Sequence, residues 1–284
     1  MRYTVKQFRA DFPNDDVCLD TIFENRYGDV KTCPGCGVIG TKFYRVTGRK
    51  CYACEWCGYQ LHPLAQTIFH KSSTPLTDWF YAIYLFSVSK NGVAAKELER
   101  HLGVTYKTAH RMAKQIRTLM SEESSIGGNG TIIEADETYF GKRNKTGLSP
   151  HVTKSAVLGA LERNGALRTK VIPKTNGREV HRFLTDTVKA GSELHTDESP
   201  LYKWTDLVYI HYAINHAKGE YARAHITTNA LEGFWGQVKR SISGTYHSVS
   251  PKYLQAYVDE FSFRYSHRGV VLYPVLLERV WMLV

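Results

Sequence analysis

Two closely spaced cysteine pairs constrain the first part of the chain more than any other feature. Two residues separate Cys33 from Cys36, the same spacing separates Cys54 from Cys57, and 17 residues lie between the pairs. Two tight turns of this kind can present four thiolates to one tetrahedral Zn²⁺. We therefore predict a zinc ribbon over residues 31–62, where apolar residues are too few to support a fold alone. With four thiolate ligands the zinc has no open position, so it should organise the fold and take no part in chemistry.

Cys51 leaves a different ligand set open. It also precedes Cys54 by a two-residue spacing, but its gap of 14 residues from Cys36 fits a ribbon less well. Free cysteines in an apolar core are the other alternative. The first residues lack the apolar stretch of a signal peptide, and no segment is long and apolar enough to span a membrane. We therefore expect a cytoplasmic protein with no membrane partner, in a compartment where disulfides do not persist.

The chain is strongly basic. Its formal net charge is +10 and its isoelectric point is about 9.2. Such a charge attracts polyanions, so nucleic acid is the expected partner, although a basic surface that only aids solubility is the alternative.

A helical region over residues 75–122 combines an apolar stripe with a basic face. A short helix over 94–102, a turn at Gly103 and a longer helix over 106–120 fit a DNA-binding helix-turn-helix. The apolar stripe of the second helix consists of Ala109, Met112, Ile116 and Leu119. Its basic residues are Lys107, His110, Arg111, Lys114 and Arg117. We take Lys107, Arg111 and Lys114 as candidate DNA contacts. An amphipathic hairpin that only packs on a neighbour remains the alternative.

The rest of the chain alternates strand and helix patterns. Residues 1–30 favour two short helices, and a glycine-rich stretch near Gly128 marks a boundary before a domain over 130–284. There we predict strands over 131–140, 155–161, 166–172, 192–196 and 207–210, and helices over 178–189, 229–243 and 251–265. Arg163-Asn164-Gly165 should form a hairpin turn between the second and third of these strands. This order gives an α/β fold, with a mixed sheet and flanking helices.

Three acids of this domain are candidate metal ligands. Asp136 lies within a strand, Asp197 ends another strand, and Glu232 opens a helix on which Lys239 follows on the same face. Acids in the middle of a sheet are costly to bury without a cation, and Mg²⁺ or Mn²⁺ prefers carboxylate oxygens. A pair of such ions can activate an attacking oxygen and stabilise a leaving one.

Each acid also has a structural alternative. Glu137 could carry the role of Asp136. Asp197 could be the first residue of an Asx turn, and Glu232 could complete a capping box with Asn229.

Several motifs together resemble those of zinc-ribbon insertion-sequence transposases of the DDE type, the ISXO2-like and Merlin-related family. The resemblance runs nearly end to end, and in one position Gln66 stands where the family commonly has a glycine. The motifs are Cys33-Pro-Gly-Cys36, Tyr52-Ala-Cys54-Glu-Trp-Cys57-Gly-Tyr, Val104-Thr-Tyr-Lys-Thr-Ala-His-Arg111, Glu134-Ala-Asp136-Glu-Thr-Tyr-Phe-Gly141, His195-Thr-Asp197, Thr228-Asn-Ala-Leu-Glu232-Gly-Phe-Trp235, Val238-Lys239-Arg240 with Gly244-Thr245, and Asp259-Glu-Phe-Ser-Phe-Arg264-Tyr.

The resemblance implies a ribonuclease-H-like fold in which Asp136 and Asp197 hold the metal and Glu232 is the third acid. It also implies that Lys239, with Arg240 beside it, contacts substrate phosphate. The expected reaction is hydrolysis at the terminal inverted repeats of an element, followed by attack of the freed 3′-hydroxyl on target DNA. Paired ends imply at least a homodimer. The rival functions are a catalytically silent DNA-binding regulator and a metal nuclease that cleaves without joining.

Overall fold

The computed structural model describes residues 3–141, 154–214 and 226–282. The chain forms two compact units: the first comprises Met1–Leu119 and Val271–Val284, and the second comprises Met120–Val270. Within the described ranges no helix is both long and apolar enough to cross a bilayer.

The first unit contains a small antiparallel sheet, with one cysteine pair before its first strand and the other at the turn between its second and third strands. Its strands are β1 (Phe43–Arg45), β2 (Tyr52–Cys54) and β3 (Gln60–Leu61), in that spatial order. Helices α1 (Val5–Asp11) and α2 (Asp15–Tyr27) precede the sheet, as the sequence predicts.

Helix α2 packs on the ribbon through an aromatic contact and ion pairs. The Phe23 ring stacks on Tyr52 of β2 with 3.7 Å between ring centroids, and the Tyr52 hydroxyl donates to Asp20. Arg45 pairs with Asp16 of the same helix. The N-terminal helical segment and the ribbon therefore share one core.

Further helices complete the first unit: α3 (Leu76–Val88), α4 (Ala95–Leu102), α5 (Tyr106–Thr118) and, after the second unit, α9 (Leu272–Met282). The sequence analysis assigned residues 271–284 to the second domain. Helix α9 instead packs on α3, because Tyr273, 2% exposed, is surrounded by the rings of Tyr3, Tyr84 and Phe12. These contacts join residues far apart in the sequence, and hydrophobic periodicity predicts a helix without indicating the domain on which it packs.

Gln66 lies in the left-handed region of backbone conformation, at φ 61°. This is the position at which the sequence departs from the family's glycine. The Cβ atom makes this conformation less favourable than it is for glycine, so the turn after the ribbon carries local strain.

The second unit is built on a mixed five-stranded sheet. Its strands are β4 (Ile132–Phe140), β5 (Ser155–Glu162), β6 (Leu167–Ile172), β7 (Glu193–Asp197) and β8 (Ile210–Ile214), in the spatial order β6-β5-β4-β7-β8. Strands β6, β5 and β4 are antiparallel neighbours, whereas β4, β7 and β8 are parallel. The mixed α/β sheet confirms the expected fold class and is consistent with a ribonuclease-H-like domain.

Helices cover both faces of this sheet. On one face, α6 (Gly177–Thr187) buries Val180, Phe183 and Leu184 against alternate residues of β4 and β5. On the other, α7 (Asn229–Ser241) and α8 (Leu254–Ser266) form a second core with Val157 and Leu161. Successive strand residues point to opposite faces, so odd-numbered positions of β5 face α7.

Two local predictions have different outcomes. The turn after β5 forms as expected, with Asn164 at φ 64° and the Glu162 amide donating to the Ala166 carbonyl at 2.9 Å. The strand predicted over 207–210 is wrong: Leu207 ends a short 3₁₀ turn, is 88% exposed, and β8 begins only at Ile210. The apolar residues just before β8 therefore do not belong to a strand.

Candidate functional site

The four predicted zinc ligands converge. The Sγ atoms of Cys33, Cys36, Cys54 and Cys57 all lie within 4.8 Å of one another. Sγ of Cys33 is 3.7 Å from that of Cys57, and Sγ of Cys36 is 4.0 Å from that of Cys54. Tetrahedral zinc with bonds of about 2.3 Å requires sulfur atoms separated by roughly 3.8 Å. The four cysteines are thus positioned for zinc binding.

The same backbone turn brings each cysteine pair into this arrangement. Gly37 and Gly58 follow the two pairs, both at φ 73°, and donate their amides to the carbonyls of Cys33 and Cys54 at 2.9 and 3.0 Å. Glycine adopts this left-handed conformation without strain. The repeat of Gly after each Cys-x-x-Cys is therefore the sequence feature that forms the site.

The surroundings of Cys54 favour its ligand form, whereas Cys51 stands apart from the cluster. A hydrogen bond from the Thr41 hydroxyl, 3.2 Å from Sγ, lowers the pKa of the Cys54 thiol to about 6. Cys51 instead directs its Sγ towards Oε1 of Gln60, at 3.6 Å. The alternative ligand set with Cys51 is therefore not the one that the geometry assembles.

The basic residues of α5 divide into two groups. Lys107, Arg111 and Lys114 are exposed along one side of the helix, opposite its buried stripe. Arg117 is only 4% exposed, donates to the Val93 carbonyl at 3.1 Å and lies over the Phe86 ring. The expectation that Arg117 belongs to the basic face is therefore wrong, because its guanidinium closes the core of this unit.

The three candidate acids lie on different elements of the second unit. Asp136 is in the middle of β4, Asp197 is the last residue of β7, and Glu232 is in the first turn of α7. In β4, Asp136 is the register partner of Gly159, which faces Trp235 of α7. Asp136 therefore lies on the sheet face that α7 covers.

Asp197 belongs to the same face. His195 of β7 is the register partner of Glu134 in β4, and residues two apart along a strand share a face. Asp136 follows Glu134 by two positions, and Asp197 follows His195 by two. The parallel register of β4 and β7 thus puts both aspartates at matching positions of neighbouring strands, on the face that α7 covers.

The electrostatics of Asp136 report how close the acids are. Burial, together with the nearby carboxylates of Glu137, Asp197 and Glu232, raises the pKa of its carboxyl to about 7. Without a cation, neighbouring negative charges disfavour ionisation at this position. A bound divalent cation would relieve this repulsion, and a donor set of oxygen atoms alone fits Mg²⁺ or Mn²⁺.

Glu137 occupies the opposite sheet face from Asp136. Its Oε2 accepts a hydrogen bond from the Tyr202 hydroxyl at 2.9 Å, and Tyr202 belongs to the core beneath α6. Glu137 therefore does not share the face of Asp197 and Glu232.

The structural alternatives for the other two acids differ. Asp197 does form an Asx turn, because its Oδ1 accepts from the Ser199 amide at 3.0 Å. That turn fixes the carboxylate at the strand end and is compatible with a second role. Glu232 does not complete a capping box with Asn229, because Asn229 already lies inside the helix and its amide donates to Oγ1 of Thr227 at 3.1 Å.

Four residues that the sequence did not indicate also belong to the site: Glu134, Arg163, His195 and Gly159. Glu134 is 1% exposed and forms an ion pair with Arg163 at 3.1 Å. The sequence indicated Arg163 only as part of the hairpin turn after β5. A buried charge in a strand requires a cationic or hydrogen-bonding partner, and that rule could have directed attention to Glu134. No local pattern indicates Arg163 as its partner.

The predicted phosphate contacts Lys239 and Arg240 are exposed near the end of α7. Lys239 lines a cavity of about 820 Å³ together with Lys154 and His247, above Phe140 at the end of β4. Two lysines and several serine hydroxyls thus line one cavity at the C-terminal end of β4.

Comparisons with known proteins agree with these observations. The family model described as the ISXO2-like transposase domain matches residues 128–266, and the transposase zinc-ribbon domain matches residues 13–60. Among curated proteins no match was found. The two family models cover both the acidic sheet face and the cysteine cluster, and the chain belongs to the zinc-ribbon, ISXO2-like family of DDE transposases.

Proposed function

We propose that this transposase binds the terminal inverted repeats of an insertion sequence and catalyses metal-dependent DNA cleavage and strand transfer. The observation that carries the proposal is the placement of Asp136 and Asp197 on the sheet face that α7 covers, with Glu232 in the first turn of that helix. Burial and the neighbouring carboxylates raise the pKa of the partly buried Asp136 to about 7. Several carboxylates gathered on one sheet face are typical of a cation site.

The three acids would act by binding and orientation. Asp136 and Asp197 would hold Mg²⁺ or Mn²⁺ from the sheet, and Glu232 would complete the ligand set from α7. When bound, the metal ions supply Lewis-acid activation of the phosphodiester and of the attacking oxygen. Water would attack the phosphorus at the element end and displace the DNA 3′-oxygen as a free 3′-hydroxyl. That hydroxyl would then attack a phosphorus of the target DNA and displace the target strand's 3′-oxygen.

Basic residues of both units would bind the DNA. Lys239 and Arg240 lie on the helix of Glu232 and would contact phosphates beside the cleaved bond. The helix-turn-helix, with Lys107, Arg111 and Lys114 exposed, would bind the repeat. Each neutralised phosphate releases counterion, so binding should weaken steeply with salt. Because two element ends must be cut and joined together, the active form would be at least a homodimer.

The test uses labelled duplexes that carry the inverted repeats flanking the gene, incubated with Mg²⁺ or Mn²⁺. We expect nicked and joined products from the wild-type protein and from Glu137→Gln, whose carboxylate faces the other side of the sheet. Asp136→Asn, Asp197→Asn and Glu232→Gln should bind the duplex but leave it intact.

Three other outcomes would change the proposal. If the wild type cuts without joining, the protein is a nuclease. If all variants bind and none cuts under either metal, the catalytic claim fails and a DNA-binding regulator is the better description. If Glu137→Gln abolishes cutting while Asp136→Asn does not, the roles of these neighbours are exchanged.

A further inference from the structure

A buried carboxylate of β4 is bonded to the N-terminal turn of α7. Oε2 of Glu134 accepts hydrogen bonds from the backbone amides of Ala230 and Leu231 at 3.0 and 3.1 Å. Its other oxygen, Oε1, accepts from Nη2 of Arg163 at 3.1 Å. The side chain is 1% exposed, so both oxygens make these bonds in an environment without bulk water.

These bonds replace the usual cap of the helix. Helix α7 starts at Asn229, and the preceding residue, Thr228, makes no side-chain capping bond. The first amides of a helix have no partner within it, and a negative charge at this end is favourable for the helix dipole. The carboxylate of a distant strand therefore meets a requirement that a neighbouring Ser, Thr, Asp or Asn meets in most helices.

A second set of bonds fixes the approach to the helix. Nδ1 of His195 accepts from the Thr227 amide at 3.3 Å, and His195 is fully buried. Because Nδ1 accepts, the ring proton lies on Nε2 and is donated to Oε1 of Glu193 at 2.7 Å. Arg163 lies between Glu134 and His195, with Nη2 at 3.4 Å from Nδ1.

The bonded groups adjoin the three candidate acids in sequence. Glu134 and Asp136 are two residues apart on one face of β4, and His195 and Asp197 have the same relation on β7. Glu232 follows directly after Ala230 and Leu231, the residues whose amides Glu134 holds. The same two strands that present the aspartates thus hold the start of the helix that presents the glutamate.

We propose that Glu134 is a positioning residue that sets the place of Glu232 relative to Asp136 and Asp197, with Arg163 and His195 orienting it. The inference rests on the proposed function of the three acids. Both oxygens of Glu134 are bonded to the helix and to Arg163, so Glu134 holds the ligand set in place and is not a further ligand. Residues that orient metal ligands typically change metal affinity or activity by about 10–100-fold when replaced.

The decisive variant is Glu134→Gln, which keeps the shape of the side chain. An amide has one acceptor oxygen, so its NH₂ group must face either the helix amides or Arg163, all of which are donors. The matched control is Asn176→Ala. Asn176 caps α6 by accepting from the Glu179 amide at 3.0 Å, but α6 lies on the other sheet face and carries none of the three acids.

The measurements use the full chain. Mn²⁺ binding is followed by electron paramagnetic resonance without DNA, and cleavage of the repeat duplex is followed as a function of Mg²⁺ concentration. For Glu134→Gln we expect the half-saturating concentration of both metals to rise by about 10–100-fold, with unchanged DNA binding. Asn176→Ala should lower the melting temperature and leave metal dependence unchanged. Arg163→Gln, which leaves the Glu134 carboxylate in place, should lie between wild type and Glu134→Gln.

The outcomes separate this inference from the function on which it rests. If wild type binds Mn²⁺ and cuts DNA, and Glu134→Gln shows the same metal dependence with only a lower melting temperature, Glu134 is a structural cap and the inference fails alone. The same holds if Glu134→Gln does not fold and Arg163→Gln has wild-type metal dependence. If wild type neither binds Mn²⁺ nor cuts DNA, the proposed function fails and takes the inference with it.

Discussion

Replacing Gly159 with alanine should displace the helix that carries Glu232. A Cβ atom at this position of β5 would lie 2.6 Å from Cζ2 of Trp235 and 3.0 Å from Cδ1 of Leu231. Carbon atoms in favourable contact are about 3.5–4.0 Å apart, so the strand and helix must separate by roughly 1 Å. The Trp235 ring has little room to rotate, since it is 3% exposed and packed beside Phe140 and Phe234.

The expected magnitudes follow from this separation. Overpacking of a core by one methyl group costs about 1–3 kcal/mol, and removing glycine from a strand recovers roughly 0.5–1 kcal/mol. Gly159→Ala should therefore lower the free energy of unfolding by about 1–2 kcal/mol. Glu232 lies one helical turn before Trp235, and a displacement of about 1 Å at a catalytic group can reduce the rate roughly 100-fold. Cleavage should therefore fall much more than stability alone explains.

The assay is urea unfolding of the full chain combined with cleavage of the repeat duplex. Gly233→Ala is the control in the same helix: its Cβ would meet no atom within 4 Å, so we expect a gain of about 0.5–1 kcal/mol. Trp235→Phe removes Cζ2 and Cη2 and sacrifices no hydrogen bond, because Nε1 is buried without a partner in the described part of the chain. The double variant Gly159→Ala/Trp235→Phe should lose less stability than the two single variants together. We expect its loss of unfolding free energy to be at least about 1 kcal/mol smaller than the sum of the two single losses. Additive costs, or Gly159→Ala with wild-type stability and cleavage, would refute the reasoning.

The remaining predictions concern zinc, a buried acid and metal binding. Native mass spectrometry should find one zinc in the wild type and in Cys51→Ser but none in Cys54→Ser; loss of zinc from Cys51→Ser would contradict the ligand set. Burial raises the pKa of Asp259 to about 6, so the carboxyl favours folding most below pH 4 and loses this contribution as pH rises to about 6. Asp259→Asn should then exceed wild type by about 2 kcal/mol in urea unfolding at pH 8 and match it at pH 4; an equal difference at both pH values would disprove this. Since the pKa of Asp136 is raised to about 7, Mn²⁺ must displace a proton below that pH, so calorimetric affinity should rise up to about tenfold per pH unit up to 7 and then level off; affinity independent of pH would contradict it.

Local patterns were sufficient wherever one short segment decides the structure. The cysteine pairs with their glycines predicted the ribbon ligands, because each half of that site is formed by one short turn and the two turns are alike. Hydrophobic periodicity located most strands and helices of the second unit within a few residues. It failed at Leu207, where an apolar residue is exposed in a turn, and at Arg117, where a charged residue is buried.

The candidate acids show what a local sequence pattern can indicate and what depends on the packing of distant elements. The sequence alone indicated Asp136, Asp197 and Glu232, since acids in a strand, at a strand end and at a helix start are unusual enough to notice. It left open whether Asp136 or Glu137 faces the others, because neighbouring strand residues differ only by which face of the sheet is covered by α7. That choice depends on the packing of Trp235 against Gly159, which are 76 positions apart.

The order of residues thus sets the chemistry available to this protein: four thiolates at ribbon spacing, three carboxylates and a basic surface charge. Only the tertiary structure decided how the acids are held. Glu134 is bonded to amides nearly a hundred residues away and to Arg163, 29 positions along the chain. Helix α9 belongs to the first unit through aromatic contacts with residues near the start of the chain. Such contacts depend on which elements meet in space, and burial of a charge selects its partner only after the chain has folded.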